Sequence, residues 1–166
     1  MTTNTGGSGE GKTGSALYRL VLSLWVGGIF MYTFLVTPVI FRYFGRDAAS
    51  AIVDRLFPFY FPFTLAVTVL AFAAFLASRP KRARQKVSLI LLVAGMLISL
   101  SVNFGIYPEV KRAKREIVSF ESESPDSPAR TKFRTLHGIS MALNLILFAD
   151  GIALIAVDSF QATRKK

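Results

Sequence analysis

Four long stretches of the chain contain almost no ionised side chains, and the charged residues are concentrated between them. Their ranges are 20–41, 56–78, 87–108 and 138–157, and Asp150 is the one charged residue inside any of them. An α-helix needs roughly 20 apolar residues to cross the hydrocarbon core of a bilayer, whereas strands are usually about 4–8 residues long. The pattern therefore predicts an all-α fold, an integral membrane four-helix bundle.

The segments around these stretches complete the predicted organisation. Residues 1–14 are rich in Gly, Ser and Thr and predict a disordered tail. A four-span membrane domain is expected over 15–158, with spans at about 20–41, 56–78, 87–108 and 137–157, and a basic tail over 159–166. Apolar residues at helical spacing after Asp47, which is expected to cap a helix, and after Pro108 predict short interfacial helices in the loops. The polar segment 119–130 predicts a mobile loop.

The composition agrees with a membrane protein and excludes several kinds of site. The chain is 52% hydrophobic and 18% charged, against about 45–50% and about 25% in soluble domains. It has no Cys and one His, which excludes disulfides, thiolate nucleophiles and iron–sulfur clusters. Ser140 and His137 lie one turn apart on one helix with nothing to form an oxyanion hole. We therefore expect no enzyme activity.

A phosphate-loop pattern near the N-terminus does not predict nucleotide binding. Residues 6–13 match the pattern letter for letter, but that chemistry needs a loop held between a strand and a helix, and only five residues precede Gly6. The net charge of +10 is expected to attract anionic lipid headgroups to the basic loops. Nucleic-acid binding needs a folded basic face, and we expect none beside four spans.

The distribution of Lys and Arg predicts the orientation. Four spans put both termini on one side, and each side carries ten Lys and Arg residues. The hairpin 79–86 holds five cations in eight residues and no acid. The positive-inside rule then favours both termini in the cytoplasm, in the cell membrane if the source is bacterial.

Polar residues inside the apolar stretches predict a cluster near the loop that joins the third and fourth spans. His137, Ser140, Met141 and Asn144 follow i, i+3, i+4, i+7 spacing and share one helix face. Asn103 and Tyr107 lie at a similar depth on the third span. Further polar contributions are expected from the other two spans: Thr33, Thr37, Tyr60 and Thr64. The cluster could hydrogen-bond the helices together or bind a ligand or ion.

A metal or haem at this cluster stays open, although no cofactor is predicted. The His137 imidazole and the Met141 thioether together suit a soft metal such as copper(I). One His and one Met are too few for a closed site, so Asn144, Tyr107 or a second copy of the chain would have to contribute. His137 could alternatively be an axial haem ligand.

Asp150 is the acid inside a predicted span. It lies about 10 Å from the terminal end of its helix by helix rise. A charge there costs at least ~2.5 kcal/mol, so the carboxyl should be protonated, paired or exposed to water. Arg19 and Lys86 start from the same membrane side and could reach it. Structural pairing and a proton- or cation-handling role both remain open.

Two motifs carry a resemblance to a known family. They are Leu24-Trp25-Val26-Gly27-Gly28 and the Leu-His-x-x-Ser-x-x-x-Asn stretch that contains His137, Ser140 and Asn144. Over roughly residues 17–157 the chain resembles the transmembrane protein 205 family, small four-span proteins with a domain of unknown function. It is more distantly similar to the membrane domain of copper-resistance D proteins. The resemblance implies a multi-pass protein connected with metal or metallodrug tolerance and supplies no catalytic residues.

Three functions follow from the sequence. The first is binding or transport of a small solute, metal ion or metal complex through the cluster around His137. A non-catalytic scaffold or accessory subunit is the alternative. A homo-oligomer stays open in either case. A haem-binding electron carrier is the third.

Overall fold

The computed structural model describes residues 6–78 and 82–163, and these residues are almost entirely helical. Within them the chain forms six α-helices and two π-helical segments and contains no strand. In chain order they are α1 (Gly6–Phe30), π1 (Met31–Val36), α2 (Thr37–Tyr43), α3 (Arg46–Ala77), α4 (Arg82–Leu100), π2 (Ser101–Ile106), α5 (Tyr107–Arg115) and α6 (Pro128–Thr163).

These segments join into four helices that are long and apolar enough to span a membrane. They are Thr13–Tyr43, Arg46–Ala77, Gln85–Arg115 and Pro128–Phe160, of 31, 32, 31 and 33 residues. The predicted all-α four-helix membrane bundle is therefore confirmed. At 1.5 Å per residue each span is about 47–50 Å long, more than the roughly 30 Å of hydrocarbon. The helices extend beyond the bilayer core.

This excess length accounts for the segments expected to form short interfacial helices. Both are helical, but each continues a span instead of forming a separate element. The helix after Asp47 is the first part of α3, and the helix after Pro108 is α5, which follows π2 directly. Asp47 does not cap α3, because Gly45 occupies the N-cap position and no side chain bonds there.

The ends of the chain also differ from the prediction. Residues 6–14 are helical, not disordered, and α6 continues past 158 to Thr163. The early start of α1 has a packing reason: a Cβ atom on Gly14 would lie 2.8 Å from the Ala77 carbonyl oxygen, so the two backbones are in contact. Residues 1–5, 79–81 and 164–166 lie outside the described residues, and with them part of the cationic hairpin and the last three residues of the basic tail.

The bundle is packed most tightly in the half that carries the termini, called the terminal end here. The opposite half, with the turn at 44–45 and the loop 116–127, is the loop end. At the terminal end Trp25, Ile29, Leu92 and Leu154 are fully buried. Large apolar side chains cover the outside of the bundle, including Leu20, Leu24, Leu70, Ile90 and Leu97. Such an apolar surface suits contact with lipid.

A wide helical turn precedes a proline in both the first and the third span. In π1 the Thr37 N–H donates to the Tyr32 carbonyl, and in π2 the Tyr107 N–H donates to the Val102 carbonyl. Pro38 and Pro108 follow immediately. Proline lacks an N–H and clashes with the carbonyl four residues earlier, and one wide turn relieves that clash without ending the helix. Both wide turns lie toward the loop end.

The backbone contact at Gly14 can be tested against a second glycine on the same helix. Gly14→Ala should lower the free energy of unfolding by about 1–3 kcal/mol, because the added methyl group overpacks a rigid backbone. Gly27→Ala is the matched control, since nothing lies within 4 Å of its added Cβ atom. It should be neutral or slightly stabilising. Thermal unfolding in detergent measures both, and equal effects would contradict the contact.

Candidate functional site

A cavity of about 370 Å³ opens inside the loop end, between all four spans. Its deep part is lined by Tyr60, Thr33 and Asn144, and its outer part by Arg46, Lys111, Lys114 and Phe120. The residues between them are mainly aromatic. The cavity therefore combines an apolar body with polar groups at two separate depths.

Hydrogen bonds centred on Asn144 form the floor of the cavity. The Tyr60 hydroxyl donates to Asn144 Oδ1 at 2.6 Å, and Asn144 Nδ2 donates to Thr33 Oγ1 at 2.9 Å. Asn144 thereby connects the first, second and fourth spans. Interhelical bonds of this kind assemble helices in membranes, so part of the predicted polar cluster has a structural role.

Stacked aromatic rings form the cavity wall beside this floor. Tyr32 stacks on Tyr60 with ring centroids 4.0 Å apart and planes 16° apart. Phe61 packs against Tyr107 at 4.6 Å, and Phe57 contacts Tyr32, Phe61 and Tyr107. Tyr32 lies in π1 and Tyr107 directly follows π2. Each wide turn thus contains or directly precedes a tyrosine of the aromatic wall.

The predicted face of the fourth span borders this cavity. His137, Ser140, Met141 and Asn144 all line it. The His137 ring stacks parallel to Phe133, with centroids 5.4 Å apart and planes 7° apart. Ser140 is 7% exposed, whereas Met141 is 50% exposed, so Met141 also reaches the outside of the bundle.

The two residues predicted from the third span, Asn103 and Tyr107, lie in different surroundings. Tyr107 lines the cavity, and its hydroxyl is buried with no hydrogen-bond partner among the described residues. Asn103 does not line the cavity; its Nδ2 donates to the Ser99 carbonyl of its own helix at 2.9 Å. Asn103 thus lies outside the residues that line the cavity, and its expected place in the His137 cluster stays a prediction. Asn103 lies inside π2, where the wide turn breaks the four-residue spacing on which that expectation rested.

Cations surround the outer part of the cavity. Arg46, Lys111 and Lys114 line it, together with one acid, Asp54. The Lys114 ammonium donates to the Ser50 carbonyl at 2.8 Å and lies 3.6 Å from Asp54 Oδ2. Three cations and one carboxylate leave an excess of positive charge at this end.

The loop 116–127 covers the loop end through a few specific contacts. Asp47 accepts hydrogen bonds from the Ser119 hydroxyl at 2.6 Å and the Phe120 N–H at 2.5 Å. Phe120 lies on Phe133 at 5.3 Å, and the Arg130 guanidinium lies over the Phe120 ring. The predicted mobile loop is therefore held by hydrogen bonds and ring contacts, and Phe120 forms part of the cavity wall.

Asp150 and Arg19 do not form the expected pair. Arg19 Nε donates to Asp158 Oδ2 at 2.7 Å instead. Asp150 is 8% exposed, and its Oδ2 atom is buried with no hydrogen-bond partner in the described part of the chain. Asp158 lies eight residues further toward the terminal end, so Arg19 reaches it without entering the bundle.

Metal ligands are sparse in the residues that the structure describes. Over 6–78 and 82–163, no group of three or more His, Cys, Asp or Glu side chains is placed to hold a metal ion. His137 and Met141 do line one cavity. A metal ion bound there would need further ligands other than His, Cys, Asp or Glu side chains of the described residues.

Some lining residues were not predicted from the sequence. Tyr32, Asp54, Lys114 and Phe120 belong to the cavity but lie outside the polar stripes. For Tyr32 the available sequence signal was Pro38, because a proline inside a long apolar stretch indicates a distorted turn just before it. The contacts of Phe120 and Lys114 depend on tertiary packing, which a helical periodicity does not encode.

Comparisons with known proteins identify a domain but no activity. The model of a family described as "Domain of unknown function (DUF4149)" matches residues 20–119. An uncharacterised protein of Aquifex aeolicus (strain VF5) is 28% identical over 139 residues, covering 82% of this chain and 92% of the relative. No solved structure matches the chain significantly.

The two tyrosine hydroxyls of the cavity make a matched pair for a stability test. Tyr60→Phe removes the hydrogen bond to Asn144 and should lower the free energy of unfolding by about 0.6–2 kcal/mol. Tyr107→Phe removes a buried hydroxyl without a partner and should be neutral or stabilising. Chemical unfolding in detergent measures both. A loss in Tyr107→Phe as large as that in Tyr60→Phe would contradict this assignment.

Proposed function

The chain belongs to the family defined by a domain of unknown function, DUF4149, and we propose that it binds a small amphipathic solute in the loop-end cavity. The solute has an apolar body that contacts the aromatic wall and an anionic group near the cations. The protein is a multi-pass membrane protein, so the solute reaches the cavity from the bilayer or its surface.

The cavity itself is the observation that carries this proposal. Helical bundles normally fill their interior with side chains at close packing. Here about 370 Å³ remains open between four spans, a volume within the roughly 300–1,000 Å³ of small-molecule sites. The depression of about 330 Å³ at the terminal end is lined by the first and fourth spans alone, whereas all four spans line the loop-end cavity.

The charge around the outer part indicates the chemical class of the solute. Arg46, Lys111 and Lys114 outnumber the single acid, Asp54. At the floor, Asn144 and Tyr60 satisfy one another, and the unpartnered Tyr107 hydroxyl offers a further hydrogen bond. A carboxylate, sulfonate or phosphate on an aromatic or aliphatic body fits this arrangement.

The remaining sequence-based functions are retained as alternatives. A metal ion or metal complex at His137 and Met141 is favoured by the fact that both residues line the cavity. The resemblance to the transmembrane protein 205 family agrees with that alternative. In a scaffold without a ligand, His137 would only help to hold the helices together, and in a haem carrier it would be an axial ligand of the iron. We propose neither catalysis nor nucleotide binding.

The same proposal includes an orientation and a lipid contact. Both termini lie in the cytoplasm, and anionic headgroups contact the basic loops. In support, the hairpin 79–86 holds five Lys and Arg residues in eight positions, and the positive-inside rule depends on the density of Lys and Arg. The hairpin 79–86 contains no acid of its own. Accessibility of tags placed in 79–86 and in 119–127 tests the orientation.

Filling the cavity tests solute binding directly. Met141→Trp adds a large ring beside the cavity, and Leu145→Trp adds the same ring one turn further along, at a residue that does not line it. Both positions are well exposed, at 50% and 43%, so both variants should fold. The probe is anilinonaphthalene sulfonate, an aromatic anion, titrated into the protein in lipid nanodiscs and followed by its fluorescence.

We expect saturable binding to the wild type and to Leu145→Trp, and a loss of roughly tenfold or more in Met141→Trp, equivalent to about 1.4 kcal/mol. Equal signals from all three proteins and from empty nanodiscs would mean that the probe enters lipid only. That result would overturn the proposed cavity function.

Elemental analysis separates the metal alternative from the solute proposal. We expect the purified wild type and His137→Ala to carry the same low metal content, because among the described residues His137 has few companion ligands. Metal at a fixed fraction of the chain that is lost in His137→Ala would make His137 a ligand. The metal function would then replace the amphipathic solute.

A further inference from the structure

Asp150 has a position in the bundle that neither packing nor ion pairing explains. Its side chain lies among α1, α4 and α6, and its Oδ2 atom is buried without a hydrogen-bond partner in the described residues. A Cβ atom on Gly95 would lie 2.6 Å from this oxygen and 2.8 Å from Trp25 Cη2. The carboxyl group and the indole therefore both lie against Gly95, where any other residue would displace one of them.

The cations that could neutralise Asp150 either pair with another acid or are exposed on the outside of the bundle. On α1, Arg19 binds Asp158 at 2.7 Å. On α4, Lys86 is exposed to the outside. On its own helix, Asp158 is a second acid, and nothing in the described residues supplies a cation to Asp150.

The surroundings of Asp150 also restrict which ligand it can take. A metal cation such as Ca²⁺ or Mg²⁺ requires several oxygen ligands, and here one carboxyl faces a glycine and an indole. No group of three potential ligands exists in the described parts of the chain. A proton needs a single oxygen, and it removes the charge that makes burial unfavourable.

A polar route leads from the terminal end toward this carboxyl. The Tyr18 hydroxyl on α1 is buried with no hydrogen-bond partner among the described residues. Tyr18 shares a helix face with Trp25 and lies about 10 Å nearer the terminal end. Asp158 and Arg19 line an open depression at the terminal surface. Tyr18 thus lies on the terminal side of the Trp25 and Asp150 contact, toward the depression at Asp158.

We propose that Asp150 is a reversible proton-binding site in the interior of the bundle, reached from the terminal end by way of Tyr18. On release, the Oδ2–H bond breaks, the electron pair stays on the carboxylate, and the proton passes to water in the depression at Asp158. The protonated form fits the closed contact among Trp25, Gly95 and Asp150. The ionised form favours opening of this contact toward water. This site is separate from the amphipathic-solute cavity and does not depend on it.

The sequence provides a built-in reporter, because Trp25 is the single Trp of the chain. Its emission, recorded in lipid nanodiscs while the pH is varied, should shift reversibly with a single transition in the wild type. Asp150→Asn keeps the shape of the neutral acid and should abolish that shift. Glu116→Gln, which removes an exposed acid of the loop end, is the matched control and should retain it.

Two further measurements keep the test decisive. The infrared carbonyl band of a protonated carboxylic acid should be present in the wild type and absent from Asp150→Asn, and this readout does not depend on Trp25. After a rapid pH jump, Tyr18→Phe should reach the same final emission several-fold more slowly than the wild type.

A pH-dependent Trp25 shift that persists in Asp150→Asn would overturn the proton site. An unchanged rate in Tyr18→Phe would overturn the route through Tyr18.

Discussion

The packing of Trp25 is the interaction on which the bundle depends. Lipid tails are as apolar as the side chains they touch, so helices in a bilayer associate through close packing and a few hydrogen bonds. Trp25 is fully buried, and its Nε1–H donates to the Leu147 carbonyl at 3.2 Å. Its ring lies against Gly95, and its neighbour Val26 lies against Gly151. One side chain thereby joins the first, third and fourth spans.

The second span is attached by different contacts, which divides the bundle into unlike halves. At mid-span, the Thr68 and Ser99 hydroxyls lie 3.1 Å apart and connect the second span to the third. Toward the terminal end, glycine and apolar residues allow the helices to touch. Toward the loop end, the aromatic rings of Tyr32, Tyr60 and Tyr107 line the cavity between the helices. The terminal half of the bundle is closed around Trp25, and the loop half contains the cavity.

The sequence was sufficient to predict the fold but only part of the candidate site. Four apolar stretches determine four spans because the bilayer imposes a minimum length, and that constraint is local. The helix face of His137, Ser140, Met141 and Asn144 was also predictable, since helical spacing decides which residues share a side.

Contacts between segments were not predictable in the same way. Asn103 lies outside the cavity lining, in a wide turn that interrupts the regular spacing. Arg19 pairs with Asp158 and not with Asp150, although both acids lie on α6. The fixing of the loop by Asp47 required knowledge of where residues 119 and 120 lie in space. In each case the missing information is a tertiary distance, which composition and periodicity do not contain.

The fourth span carries both proposed sites, and this gives a physical reason to consider them together. Asn144 at the cavity floor and Asp150 are six residues apart, about 9 Å along one helix. Between them, the Leu147 carbonyl accepts the Trp25 indole N–H. A charge on Asp150 would disturb the Trp25 contact first, because the two side chains both lie against Gly95. A shift of α6 at that point would move Asn144, whose two hydrogen bonds hold Tyr60 and Thr33 at the cavity floor. Helix α6 thus carries the buried carboxyl of Asp150 and the floor of the cavity within about 9 Å of each other along one axis.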